Sequence, residues 1–351
     1  MGVRKAELPV LTEHAVHRFL VSLRRAFARA DQRSGDVELR HFRIGGFPLQ
    51  VRCACPAMAP LLRAFEHLKS GDNDGPGLRL YLADTASTGV SPPVVPRADR
   101  PMPGDSWRLR GSAGDVLCYY AEGVTGVVDH AQGTAVFWAE DAARLPQYMH
   151  GSPFLRLLHW WFASQGRQIV HAAAVGQANG GVLLTGPGGA GKSTAAFACL
   201  DSRLGYTGDD YCLVNADGPP RAFSLYSSGK LHLHNVARFP GLVPDPRWPG
   251  DEKALFFIRD LFPEKVLPSF PIRAVLLPRV SGQRDTVLRP ASRAEAFLAA
   301  AQSTLCQLIG EEAHSYQNIG RLFRELPCYT LETGTDLEQI PQVILGLLAE
   351  S

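Results

Sequence analysis

The sequence predicts an α/β fold in two parts: a smaller α+β domain over residues 1–150, then a domain with a mainly β central sheet over residues 151–351. Two observations lead to this prediction. In the first part, apolar and polar residues alternate with the period of half-buried strands. In the second part, an apolar run is followed by a glycine-rich segment and an Ala-rich helical pattern, which is the order strand, turn, helix.

Patterns in residues 1–150 predict a long helix, a hairpin and a meander. Apolar residues at helical spacing predict a helix over 14–29, whose basic side is better explained as a solvated face than as a membrane surface. Alternation on both sides of Gly45-Gly46 predicts a β-hairpin. We also expect a helix over 58–69, a strand over 78–83, a loop over 87–105 and an antiparallel meander over 107–140. No catalytic constellation is visible in this part.

The second part opens with a predicted helix. Ser152 and Pro153 are typical of a helix N-terminus, with Ser152 as N-cap and the helix running to about residue 165. His159, Trp160 and Trp161 suggest an aromatic ligand box, but their place in a Leu/Phe stripe favours packing between the two domains.

Further along the second part, strands are expected to dominate. Capping-box sequences at 292–295 and 335–338 predict the starts of two helices. The remaining expectations are strands from residue 168, a strand pair over 222–233 around Gly229, a loop over 235–265 and a strand over 274–277.

Composition excludes some classes of protein. A formal charge of +2 is close to neutral and argues against a dedicated nucleic-acid binder. The seven cysteines are scattered, and the one close pair, Cys53 and Cys55, lacks a second pair for a zinc site, so core packing is the better interpretation. No segment approaches ~18 uninterrupted apolar residues, and no signal core is present. We expect a reduced, cytoplasmic protein without a membrane or nucleic-acid partner.

The most specific motif lies between the apolar run 182–184 and the helical pattern from Thr194 to Leu200. It fits G-x-x-x-x-G-K-[ST], and in this context it predicts a loop whose inward N–H groups bind the phosphates of a nucleoside triphosphate. The alternative is a glycine-rich turn with a surface lysine. The nine residues expected to bind nucleotide are Gly186, Pro187, Gly188, Gly189, Ala190, Gly191, Lys192, Ser193 and Thr194.

Within this motif, Lys192 is expected to reach the β- and γ-phosphates, and the Ser193 hydroxyl to ligate Mg²⁺. Asp209 and Asp210 follow at a distance that suits one helix and the next strand, which we expect beside the first. Adjacent carboxylates at a strand end point in different directions, so one can hold the metal while the other meets the acceptor hydroxyl. The alternative is a surface turn with two solvated acids.

These residues together resemble the catalytic domain of bacterial HPr kinase/phosphorylase and its kinase-like relatives. The resemblance covers 168–214 and rests on Ile169-Val-His171, the glycine-bearing hairpin 176–181, the phosphate loop, and Gly208-Asp-Asp. It implies ATP and Mg²⁺ as cofactors, Asp209 as base, Asp210 with Ser193 at the metal, and His171 on the γ-phosphate side. The roles of the two aspartates are interchangeable at this point.

After residue 214 the likeness changes. The later glycine-rich signature of the family is replaced by the stretch 225–231, which puts phosphorylase activity and an HPr target in doubt. This stretch, Pro278-Arg279 and the run 301–308 resemble instead the kinase homologues of peptide-modifying clusters, including lasso-peptide tailoring kinases. Lys230 and Arg279 are candidates to stabilise charge on the transferring phosphoryl group, or are solvated surface cations.

The sequence therefore predicts an ATP–Mg²⁺-dependent kinase for a serine hydroxyl of a peptide or small protein. The N-terminal domain is expected to recognise the peptide or to mediate self-association into a homo-oligomer. Two alternatives remain: a kinase for a small molecule, and a nucleotide-gated regulatory module without catalysis.

Overall fold

A computed structural model describes residues 13–35, 37–71, 75–96, 106–111, 114–215, 217–248 and 252–350. The chain is α/β, with two large sheets and helices packed on them. In the described part of the chain, no helix has the length and apolar character that a membrane span requires.

The first sheet has seven strands, preceded by helix α1 (Glu13–Ser34). Its strands are β1 (Glu38–Ile44), β2 (Phe47–Cys53), β3 (Leu78–Asp84), β4 (Ser106–Gly111), β5 (Gly114–Ala121), β6 (Val124–Asp129) and β7 (Thr134–Ala139). They lie in the order β1-β2-β3-β7-β6-β5-β4, with β3 parallel to both β2 and β7 and the other pairs antiparallel. The apolar side of α1 packs on one face of this sheet, where Phe19, Leu23 and Phe27 meet Val127 and Trp138.

Two short helices, α2 (Thr85–Thr88) and α3 (Gln147–Gly151), occur before residue 152. The described chain after them contains seven further helices and eleven strands. The helices are α4 (Leu155–Ser164), α5 (Lys192–Ala198), α6 (Leu233–Val236), α7 (Ile258–Leu261), α8 (Arg293–Gln307), α9 (Glu312–Glu325) and α10 (Gln339–Ala349). The strands are β8 (Arg167–Val170), β9 (Ala172–Gln177), β10 (Gly180–Thr185), β11 (Gly205–Gly208), β12 (Cys212–Asn215), β13 (Arg221–Phe223), β14 (Ser228–His232), β15 (Lys253–Phe257), β16 (Ser269–Val280), β17 (Val287–Pro290) and β18 (Cys328–Thr333). A long 3-10 helix spans Pro56–Leu68, and short ones span Ala142–Arg144, Cys199–Asp201 and Pro263–Lys265.

The second sheet has nine strands and is mixed. Its main path is β11-β9-β10-β16-β13-β12-β8, and β18 and β17 extend it from β16. The long strand β16 connects its two halves, because its first residues pair with β13 and its later residues pair in parallel with β10 and β18. β14 and β15 form a separate two-stranded sheet.

One hydrophobic core is shared by the two halves of the chain. It contains Phe42 and Leu49 of the first sheet, Phe154 before α4, and Leu213 and Tyr226 of the second half. Trp160 and Trp161 of α4 lie in this same core, so their role in the described structure is packing. The strands of the first sheet end at 139 and those of the second begin at 167. The division into domains at residue 150 stays a prediction.

Several sequence predictions are confirmed. The hairpin turns at Gly45-Gly46, with Ile44 opposite Phe47. The antiparallel meander over β4 to β7 is present, and α1 extends the predicted helix at both ends. Ser292 and Glu295 form the expected capping box of α8. Cys53 and Cys55 are buried in the shared core, and all seven cysteines are free.

Two predicted helix caps are wrong. Ser152 does not cap a helix, because α3 ends just before it and α4 begins after Phe154, which has a left-handed φ of 58°. The residues 335–338 form no capping box, since α10 begins after Glu338 without a side-chain cap. In both places tertiary contacts determine the path of the chain, and a local cap pattern carries no information about them.

Three other expectations need correction. The segment predicted as a helix over 58–69 is a 3-10 helix that contains Pro60, whose missing N–H disfavours a regular α-helix. Gly229 lies inside β14 rather than at a turn; a β-carbon there would come within 2.7 Å of Phe197 Cζ, so glycine permits close packing. The expected loop over 235–265 contains β15 and α7.

Candidate functional site

The phosphate loop lies between the end of β10 and the start of α5. Three of its glycines have positive φ angles, 150° at Gly186, 80° at Gly189 and 101° at Gly191. These conformations are unfavourable for residues with a β-carbon, which explains why the loop needs glycine there. A β-carbon added to Gly188 or Gly189 would meet no atom within 4 Å, so the outer side of the loop faces open space.

Lys192 begins α5 and folds back over the loop. Its Nζ donates to the carbonyl oxygens of Gly186, at 2.8 Å, and Pro187, at 3.1 Å. The side chain is buried, and burial lowers the pKa of Lys192, against the opposing effect of the Asp209 and Asp210 carboxylates. The Lys192 ammonium is thus held at the loop by neutral carbonyl groups, in a position from which it can bind an anion.

Asp209 lies directly behind Ser193. The Ser193 hydroxyl donates to Asp209 Oδ1 at 3.0 Å, and the backbone N–H of Lys230 donates to Asp209 Oδ2 at 3.2 Å. Burial, together with the neighbouring Asp210 charge, raises the pKa of Asp209. The sequence analysis paired Ser193 with Asp210, whereas the structure places Ser193 against Asp209.

Asp210 points toward the cavity instead. Its backbone has a left-handed φ of 63°, which turns its side chain away from that of Asp209. Asp210 Oδ2 is 2.7 Å from Lys230 Nζ, and Oδ1 is 3.9 Å from His171 Nε2. Burial would raise the pKa of Asp210, but the Lys230 ammonium outweighs this and lowers it; the carboxylate in turn raises the pKa of Lys230 despite burial.

The strand order brings these groups together in an unexpected way. β11, which ends just before Asp209, pairs with β9 rather than with β10. Because β9 is antiparallel to both, β10 and β11 run in the same direction with one strand between them. The prediction that the next strand lies beside the first is therefore wrong. The carboxyl ends of β10 and β11 still meet at one edge of the sheet, close enough for Ser193 to contact Asp209.

His171 lies at the break between β8 and β9. Its backbone N–H donates to Thr304 Oγ1 at 3.1 Å, and Gln307 Nε2 is 3.5 Å from its Nδ1. Burial, then the Lys192 charge, lowers the pKa of His171 to about 4. The ring is therefore neutral near pH 7 and reaches the same carboxylate as Lys230.

Arg279 is not brought to this site. It is exposed on β16, whereas Val280 beside it lines the cavity, because successive side chains of a strand point to opposite faces. Arg279 does not line this cavity, and its candidate role at the transferring phosphoryl group stays a prediction. Because neighbouring side chains of a strand point to opposite faces, only one of Arg279 and Val280 was expected to face the cavity. The sequence did not indicate which one.

A cavity of about 520 Å³ opens above the loop. Its volume lies in the range of small-molecule sites. His171, Asp210 and Lys230 line it together with residues 188–194, while Asp209 lies behind its surface. Several basic or polar side chains that no sequence motif indicated also line it: Tyr211, His232, His234, Asn235, Arg238, Lys253 and Gln307.

Three of these residues, Asn235, Arg238 and Lys253, come from the segment predicted as a loop. Lys253 lies opposite His232 in the antiparallel pair of β14 and β15, so this small sheet delivers both to the cavity. The alternation His232-Leu-His234 was a weak signal in the sequence. For Lys253 there was none, since its partner strand is separated from it by proline-rich chain.

The donor set fits a magnesium nucleotide. The Ser193 hydroxyl and the Asp209 carboxylate are oxygen ligands of the kind that Mg²⁺ prefers. The glycine loop presents backbone to open space, and Lys192 and Lys230 supply positive charge on either side. Among the described residues no group of three or more His, Cys, Asp and Glu could hold a metal by protein ligands alone.

No protein-family model and no curated protein matches the sequence. Among solved structures, the HPr(Ser) kinase/phosphatase from Coxiella burnetii is similar at 12% identity, over 52% of this chain and 95% of that chain, with a TM-score of 0.27. A likeness this low carries no weight for fold or function, so both are argued from the residues of this chain.

Proposed function

We propose that this protein is an ATP–Mg²⁺-dependent kinase that phosphorylates a serine hydroxyl of a peptide or small protein. The observation that supports it most is the convergence of Lys192, Ser193, Asp209, Asp210 and Lys230 at the edge of one cavity. A phosphate loop alone binds nucleotide, but two differently directed carboxylates beside it are what a transfer to an acceptor needs.

In this proposal the loop amides and Lys192 bind the triphosphate. Lys192 exchanges its contacts with the carbonyls of Gly186 and Pro187 for phosphate oxygens, which are stronger partners for an ammonium. Ser193 and Asp209 would hold Mg²⁺, which supplies neutralisation of charge on the β- and γ-phosphates. This reverses the roles first expected of the two aspartates, and it is supported by the 3.0 Å contact between Ser193 and Asp209.

Asp210 would orient and deprotonate the acceptor. As the acceptor oxygen attacks the γ-phosphorus, its proton passes to the Asp210 carboxylate, the new P–O bond forms, and the bond to the ADP oxygen breaks. Lys230 holds Asp210 ionised at neutral pH, as the lowered pKa of Asp210 indicates. His171 is neutral there and can donate its ring N–H without adding charge.

Charge that develops on the transferring phosphoryl group would be stabilised by Lys230 and Lys253. Both line the cavity and take the place that the sequence analysis had given in part to Arg279. The choice of a serine on a peptide rests on the resemblance of the motif residues. The first sheet and α1 are then the proposed place for peptide recognition or self-association.

Matched variants test the roles of the carboxylates. We expect Asp210→Asn to keep Mg²⁺–ATP affinity within about threefold and to lower phosphoryl transfer by about 10²–10⁴-fold, the range of a general base. Asp209→Asn should instead weaken the binding of Mg²⁺ together with the nucleotide. Asp201→Asn, which changes an exposed aspartate, is the control. Calorimetry measures nucleotide affinity, and mass spectrometry measures the addition of one phosphate to candidate peptides.

The outcomes separate the candidate functions. Phosphate on a serine-containing peptide supports the proposal, and phosphate only on free serine or a sugar indicates a small-molecule kinase. ATP binding without transfer to any acceptor, unchanged in Asp210→Asn, would indicate a regulatory module. Full transfer by Asp210→Asn would contradict the role given to this residue.

A further inference from the structure

The cavity above the phosphate loop has two chemically different walls. One wall carries Lys230 and Lys253 and suits phosphate, while Arg238 donates to Thr335 O at 3.3 Å, in the segment that leads to Leu337. The other carries Val280, at the end of β16, and Leu337, just before α10. Val280 is 67% exposed, so an apolar side chain faces the open cavity there.

The apolar wall begins where the loop meets α5. A β-carbon added to Gly191 would lie 3.6 Å from Val280 Cγ2, and Ile340 is fully buried behind this wall. A triphosphate held by residues 186–193 therefore has an apolar surface within reach of the part of the ligand that carries no charge. The flat faces of a nucleobase match such a surface, whereas the phosphates do not.

The backbone donors along this wall are already in use. The N–H of Gly334 donates to Thr286 Oγ1 at 3.0 Å, and that of Thr335 donates to Gln283 O at 2.8 Å. The N–H of Asp336 donates to Arg284 O at 3.2 Å. The Thr333 hydroxyl donates to Arg279 O at 3.3 Å. None of these hydrogens is free to bond to a base without breaking a contact that folds the segment.

We propose that Val280 and Leu337 form the base subsite of this cavity, and that it holds a purine by apolar contact with little discrimination between adenine and guanine. This inference rests on the proposed nucleotide-binding function. Adenine has an amino group at position 6, whereas guanine has an oxo group there together with an N1–H and a 2-amino group, and telling them apart requires a free donor or acceptor. Asn235, which lines the same cavity, has an amide that can both donate and accept, so it can serve either base.

The expected discrimination is small. One neutral hydrogen bond changes affinity by no more than about tenfold. Sites built around several committed hydrogen bonds discriminate by factors of about 10⁴ or more. ATP and GTP should therefore bind within about tenfold of each other in the presence of Mg²⁺.

The test compares three ligands on the full chain by titration calorimetry: Mg²⁺–ATP, Mg²⁺–GTP and Mg²⁺–tripolyphosphate. Val280→Ser removes apolar surface without adding charge, at an exposed position where folding is not at risk. Its matched control is Val243→Ser, since Val243 is 65% exposed and does not line the cavity. Val280→Ser should weaken both nucleotides by about three- to tenfold and leave tripolyphosphate unchanged. Val243→Ser should change none of the three.

Three results would overturn the inference. These are affinities for ATP and GTP that differ by more than a hundredfold, equal affinity for nucleotides and tripolyphosphate, or a loss of tripolyphosphate binding in Val280→Ser as large as the loss of ATP binding. Each of them leaves the phosphate loop and the proposed kinase intact. If none of the three ligands binds to the unchanged protein, both the base subsite and the proposed function fail.

Discussion

Each of the two large sheets buries carboxylates at the end of a strand, and the two sites differ in their partners. In the first sheet, Asp84 is the last residue of β3 and is 1% exposed. Its Oδ1 accepts from the Ser87 N–H at 2.6 Å and from the Ser87 hydroxyl at 2.9 Å, and its Oδ2 accepts from the Ala142 N–H. All these partners are neutral groups of nearby turns.

Asp209 and Asp210 follow β11 in the second sheet and are adjacent to each other. Two neighbouring carboxylates repel, and the Asp210 charge contributes to the raised pKa of Asp209. Lys230 compensates on one side, while a cavity lies on the other. The comparison teaches that burial of an acid does not by itself indicate function. A like-charge pair, compensated by cations beside a cavity, does so better.

The largest expected effect concerns Lys192, at the site in the second sheet. Lys192→Met should lower phosphoryl transfer by about 10³-fold, because the variant keeps the length of the side chain but removes the charge that serves the phosphates. Lys69→Met, which removes an exposed surface ion pair with Glu66, is the matched control and should leave transfer unchanged. Steady-state kinetics with a phosphorylated peptide as product measures both. Near-normal transfer by Lys192→Met would contradict the assignment of the phosphate loop.

The next effect concerns the structural carboxylate. Asp84→Ala should lower the free energy of unfolding by about 2–4 kcal/mol, since it leaves the buried Ala142 N–H without its acceptor and removes the cap of α2. Urea denaturation measures this. The transfer rate per folded molecule should not change.

Asp141→Ala serves as a graded control for this prediction. Asp141 accepts only from the exposed Ala143 N–H at 3.0 Å, so its loss should cost about 1 kcal/mol or less. A specific loss of transfer in folded Asp84→Ala would show that the first sheet contributes to the chemistry, which would remove the contrast between the two sites.

The smallest effect, counted per pH unit, is a dependence of stability on pH. Burial lowers the pKa of His159 to about 3 and that of His171 to about 4. For a histidine whose pKa is lower in the folded state, the unfolded state binds the proton more tightly. Stability is therefore present above the unfolded value of about 6.5 and is lost as the pH falls toward the folded pKa. Each such histidine contributes about 1.4 kcal/mol per pH unit in that window.

His159→Leu isolates one of these histidines. Both ring nitrogens of His159 are buried without a partner among the described residues, so leucine should be tolerated. Urea denaturation between pH 6.5 and 4 should show a slope smaller by about one proton, with transfer at pH 7 unchanged. An unchanged slope would mean that His159 does not titrate differently in the folded and unfolded protein.

Much of the local structure was predictable. Gly45-Gly46, the meander and the capping box at Ser292 depend on short-range patterns, and the structure confirms them. The phosphate loop was predictable because three of its glycines, closely spaced before a lysine, must adopt positive φ angles. Local patterns failed where distant chain decides the outcome, as at Ser152, where α4 starts two residues later than its cap signal.

The candidate site was predictable only in part. Lys192, Ser193 and the two aspartates follow from the motif and its spacing, but their pairing does not. Which aspartate contacts Ser193 depends on the left-handed backbone of Asp210, and this in turn depends on the packing around it. Arg279 was expected at the cavity but does not line it, because the alternation of a strand leaves open which face meets the cavity.

The amino-acid sequence by itself determined a glycine loop with one lysine and one serine, two adjacent acids after a strand, and the periodic patterns of both sheets. These features depend on backbone geometry and on neighbours within a few residues. Only the tertiary structure decided that β11 lies one strand away from β10, that β14 and β15 bring Lys230 and Lys253 to the cavity, and that Val280 faces it. The physical reason is that such contacts join residues far apart in the chain, and their geometry follows from the packing of whole sheets rather than from any local preference.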